Sequence, residues 1–99
     1  MEDIKFEWNA VKARKNLQKH GISFHDAKKV FWDELARIIA DPDSSIGEER
    51  FLILGNSLVK GVLVVCHCYR MQNDVVRIIS ARKATSKERK QYERYAYAR

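Results

Sequence analysis

Ninety-nine residues, 45% hydrophobic and 32% charged, suit one folded domain over 1–99 and exclude a disordered chain. The longest apolar run, 62–66, falls far short of the ~20 residues that cross a bilayer, so no membrane role is expected. The net charge of +6 favours anionic partners and is unevenly placed: residues 81–99 carry seven bases against two acids, and residues 33–49 carry six acids against one base.

The start, Met1-Glu2-Asp3-Ile4, is acidic and lacks the basic-then-apolar order of a signal peptide. Residues 4–8 alternate apolar and polar, the period of a half-buried strand. Asn9 is placed to cap a helix whose stripe is Ala10, Ala13 and Leu17, and which ends at Lys19-His20-Gly21. Ser23 opens a second helix carrying Phe24, Ala27, Val30, Phe31 and Leu35 on one side. The two helices are expected to form a hairpin lying on a sheet.

Residues 36–40 predict a short strand, and 41–47, with the single proline, a loop. Strands follow over 50–56, 61–70 and 75–82, joined by short turns that make neighbours antiparallel. Thr85-Ser86-Lys87-Glu88 is a capping box opening a final helix. The expectation is an α+β fold: two N-terminal helices and a C-terminal helix on a four- to five-stranded, mainly antiparallel sheet.

Cys66 and Cys68, two apart in a strand, predict reduced thiols and hence a cytoplasmic protein. Cys66-His67-Cys68 is not a metal cluster, because a strand turns His67 away from both thiols; no metal or cofactor is expected.

Chemistry is sought in the last two strands. Period-two alternation predicts Arg77, Ile79, Ala81 and Lys83 on one face, with Ile78, Ser80 and Arg82 on the other. Arg77 sits in a core-like run, so it either meets an acid or lines a surface that admits a phosphate. A ribonuclease without metals needs a base for the 2′-OH, cations for the charged phosphorane and an acid for the leaving oxygen. His67, Arg70, Arg77, Arg82 and Tyr92 offer these roles. Each also has a structural alternative: a hydrogen-bonded strand histidine, a turn-flanking arginine, a salt-bridged arginine, a packed helix tyrosine.

The blocks Phe6-Glu7-Trp8-Asn9, Lys12, Asn16, Lys19-His20-Gly21-Ile22-Ser23-Phe24, Ala27 and Phe31, then Glu49-Arg50, Gly55, 77–84, Glu88-Arg89 and Tyr92, resemble the BrnT toxin family over nearly the whole chain. That resemblance implies a fold similar to RelE-type toxins and an RNA-cleaving activity that stops translation. It also implies a small BrnA-type antitoxin with a ribbon-helix-helix domain, and a complex that represses its own operon, so operator DNA is met only through the antitoxin. Positions carried over are His67, Arg70, Arg77, Ser80, Arg82, Glu88, Arg89 and Tyr92.

The resulting expectation is a metal-independent endoribonuclease. Arg77 and Arg82 hold the scissile phosphate, His67 or Tyr92 moves protons, and Arg70, Lys83, Arg89 and Lys12 grip the RNA. The alternatives are a non-enzymatic basic RNA- or protein-binding module, and a domain that only scaffolds its antitoxin on DNA.

Overall fold

In the computed structural model, which describes residues 4–44, 48–72 and 74–98, local signals set the helix ends. The Asn9 side chain accepts from the Lys12 N–H at 3.0 Å and starts α1 (Ala10–His20). Gly21 ends it in the left-handed region (φ 72°), its N–H bonded to the Leu17 carbonyl. Ser23 caps α2 (Phe24–Ala27) through the Asp26 N–H.

The second helix is shorter than its apolar stripe predicts. After one α-helical turn it tightens into a 3-10 turn over Lys28–Trp32 and stops at Asp33, which is extended. The Asp33 carboxylate accounts for the stop: it accepts from the Leu35 and Asn56 N–H groups and from the Tyr92 hydroxyl. One local and two tertiary bonds outweigh the helical pattern.

The strands are β1 (Lys5–Glu7), β2 (Arg37–Ala40), β3 (Phe51–Asn56), β4 (Val62–Arg70) and β5 (Val75–Lys83), and α3 (Ser86–Tyr97) follows. They form one mixed sheet in the order β1-β5-β4-β3-β2, antiparallel except for the β1–β5 pair. α1, α2 and the 3-10 turn cover one face, enclosing Ile22, Phe24, Ala27, Val30, Ile53, Leu63, Val65, Val76, Ile78 and Ala81. Burying each large side chain contributes roughly 1.5–3 kcal/mol. Beyond Glu7 there is no β1 residue beside β5. There the Asn16 amide takes a strand's place, accepting from the Ala81 N–H (3.0 Å) and donating to the Ala81 carbonyl (2.9 Å).

A bulge overturns the predicted alternation of β5. Cys66 lies opposite Ser80 but His67 lies opposite Ile78, so Ile79 is an extra residue. Ile78 and Ala81, three apart, therefore both enter the helix-covered core. Arg77 does not share a face with Ala81 and Lys83. It shares one with Ser80 and Arg82, opposite Cys68, Cys66 and Val64 respectively. Lys83, opposite Leu63, falls on the helix-covered side.

Among the described residues no helix is long and apolar enough to cross a membrane.

Candidate nucleic-acid interface

With the bulge in place, the sheet face away from α1 and α2 carries Arg70, Arg77, Ser80 and Arg82, with Glu7 beside Arg77 in register. Each arginine meets a carboxylate there. Arg77 Nη1 donates to Glu7 Oε2 at 2.6 Å. Arg82 grips both oxygens of Glu88, at 2.8 and 3.0 Å. Arg70 Nη2 lies 3.5 Å from Glu48 Oε2, and Arg50 holds the other Glu48 oxygen.

The three pairs differ. The Glu88 carboxylate also accepts from the Thr85 N–H, closing the capping box of α3, and the Arg82 bonds hold its pKa down to about 2. Arg82 thus fastens β5 to the start of α3. Arg77 engages its acid through one nitrogen, with its side chain a third exposed, and keeps other N–H donors for an incoming anion.

His67 is not on this face. It is fully buried on the helix-covered side, edge-on to Phe31 (4.8 Å between ring centres) and to Tyr69 (5.3 Å). Its ring nitrogens meet the Val65 carbonyl at 3.2 Å and the Tyr69 hydroxyl at 3.3 Å. Burial pushes its pKa below the ordinary histidine range, so the neutral ring is favoured. Tyr92 is also buried, and its hydroxyl donates to Asp33 Oδ2 at 2.6 Å; burial and that carboxylate push the phenol's pKa well up.

Lys12 lies exposed on α1, in the helix layer, and Arg89 exposed on α3. The structure therefore puts Arg70, Arg77 and Arg82 on one face and leaves His67, Lys12 and Lys83 on the other side of the sheet. The Cys66 thiol is buried 3.6 Å from Asp41 Oδ2, and burial first, then that carboxylate, pushes its pKa up to about 11. It stays a thiol, not a nucleophilic thiolate.

Three acids escaped the sequence reading: Glu7, Glu48 and Asp33. Asp33 left one local signal, a weak helix former inside the predicted stripe, between Phe31 and Leu35. Glu7 and Glu48 left none, because their partners are set by strand register and loop path.

Fold and site together define a small basic α+β domain that presents an arginine-bearing sheet face. Residues 8–88 match the family described as the ribonuclease toxin, BrnT, of type II toxin–antitoxin systems. The chain belongs to that family, and membership implies an antitoxin partner. Among solved structures the chain is similar to the Brucella abortus ribonuclease toxin BrnT: 20% identity, TM-score 0.63, covering 85% of this chain and all of that one. At that identity the likeness speaks for the fold. No curated protein matches the sequence.

Proposed function

We propose that this chain is a cytoplasmic, metal-independent endoribonuclease of RelE-like fold that cleaves RNA to inhibit translation. A small ribbon-helix-helix antitoxin of the BrnA type neutralises it, and the complex represses its own operon. The observation that carries the reading is that Arg70, Arg77 and Arg82 share one sheet face, the β5 bulge turning Arg77 to the side of Arg82.

In the proposed reaction a base removes the 2′-OH proton and the 2′-oxygen attacks phosphorus. The 5′-oxygen then leaves with a proton from an acid. Arg77 is the principal phosphate ligand, because a planar fork with free donors suits two phosphate oxygens. Arg70 and the α3 bases, Arg89 among them, follow the RNA backbone. Arg82 contributes charge and, through Glu88, fixes α3 beside the site. With the His67 ring sealed on the far side and the Tyr92 hydroxyl bonded to Asp33, we assign the proton transfer to Glu7, whose carboxylate accepts from Arg77.

The test is cleavage of RNA in excess EDTA by the wild-type chain and by Arg77→Ala purified identically. Loss of one positioned donor is expected to lower the rate roughly 10²–10³-fold, with stability lowered by no more than about 1 kcal/mol. A folded Arg77→Ala that cuts as fast as wild type overturns the assignment of Arg77. If wild type cuts neither free nor ribosome-bound RNA, the chain is a binding module.

A further inference from the structure

The sheet ends at β2, and its last strand is left uncovered. Among the described residues no strand lies beyond it. All four of its residues are exposed, Ile38 at 50% and Ile39 at 54%. These isoleucines point to opposite faces, because Ile38 lies opposite the core residue Ile53 and Ile39 opposite Leu52. A helix laid on either face covers one of them. An extended segment running alongside the edge covers both.

The backbone is set for such a segment. The Asp41 N–H bonds the Arg50 carbonyl of the loop leading into β3. Counting back along an antiparallel ladder, Ile39 and Arg37 face β3, while the N–H and C=O groups of Ile38 and Ala40 face outward. On the arginine-bearing side of the sheet, β2 borders a groove of about 540 Å³ under α3. Ile39, Leu52 and Leu54 floor it, and Arg37, Arg94 and Tyr95 stand around it, with the Arg37 guanidinium 4.5 Å over the Tyr95 ring. The carboxylate on its wall, Glu88, is held by Arg82.

We infer that the antitoxin adds a strand to the outer edge of β2. The segment carries apolar residues on both of its faces, to cover Ile38 and Ile39, and carboxylates on the groove side, where they meet Arg37 and Arg94. Charge selects this occupant. A second copy of the chain would bring another Arg37 and no acid in its own β2. RNA would satisfy the arginines and leave two isoleucines in water. The inference rests on the family's implied antitoxin and is independent of RNA cleavage.

The experiment compares backbone hydrogen exchange in the free chain and in its complex with the cognate antitoxin, co-purified from the native locus. The Ile38 and Ala40 amides are expected to slow at least tenfold in the complex. Ile39→Glu and Arg94→Glu, both at exposed positions, are expected to weaken antitoxin binding at least tenfold, and Leu17→Glu on the exposed face of α1 to leave it unchanged. Should Ile39→Glu fail to fold, Arg94→Glu and the exchange data decide. Unprotected amides in the complex, or wild-type binding by folded Ile39→Glu or Arg94→Glu, overturn the inference. So does protection in the free chain that grows with its concentration, which would assign the edge to a second copy.

Discussion

The two faces of the sheet have the same strands and opposite chemistry. On the helix-covered face Ile22, Ala27, Val30, Leu63, Val65 and even His67 are shut from water. On the other, Arg70, Arg77 and Arg82 stand a third to a half exposed, each beside a carboxylate. Folding free energy should therefore concentrate on the first face, and anion recognition on the second. Substitutions that separate stability from charge test that division.

The largest effect is expected at Phe24, which is buried under the sheet and edge-on to Trp8 (5.8 Å). Phe24→Ala should lose roughly 3–5 kcal/mol in urea unfolding. A loss below 1 kcal/mol would show that the helix-covered face is not the main source of stability.

A smaller effect, and one with a pH signature, is expected at His67. Burial lowers its native pKa, so the unfolded chain binds a proton near pH ~6.5 that the native state declines. The sign follows: stability is kept above that pH and falls as pH drops through 6.5 toward the lower native value. The slope reaches at most about 1.4 kcal/mol per pH unit. His67→Leu should flatten this part of the profile between pH 7 and 5, measured by urea unfolding at each pH. An unaltered slope would mean that His67 titrates alike in both states.

The same division explains which features were legible in the sequence. Helix ends were, because their bonds are local: Asn9 to Lys12, Ser23 to Asp26, Thr85 with Glu88. The five strands and their mainly antiparallel pairing followed from alternation and short turns. The parallel β1–β5 pair did not, since its partners lie 70 residues apart. Nor did the early stop at Asp33, which depends on Asn56 and Tyr92, 23 and 59 residues away. Arg77 and Arg82 stood out as bases in an apolar run. That they share a face was hidden, because a bulge belongs to a strand pair and one strand's sequence shows only a regular period. Alternation predicted the wrong face for Arg77 for that reason.

The smallest stability effect is expected where the site reading needs it to be small. Arg77 and Glu7 meet at 2.6 Å, a short ion pair, yet their side chains are 32% and 40% exposed. Exposed pairs of this kind contribute about 0.2–1 kcal/mol, because water screens the attraction and two long side chains lose freedom. Arg77→Ala, Glu7→Gln and the double variant, compared by urea unfolding, should give a coupling within that range. A coupling above 2 kcal/mol would make the pair a structural tie, and the loss of cleavage in Arg77→Ala would then say nothing of phosphate binding. A small coupling leaves Arg77 with little to do for the fold. It is then held beside Glu7 on an open face, with donors to spare, where a phosphate can displace or join the carboxylate at little cost in stability.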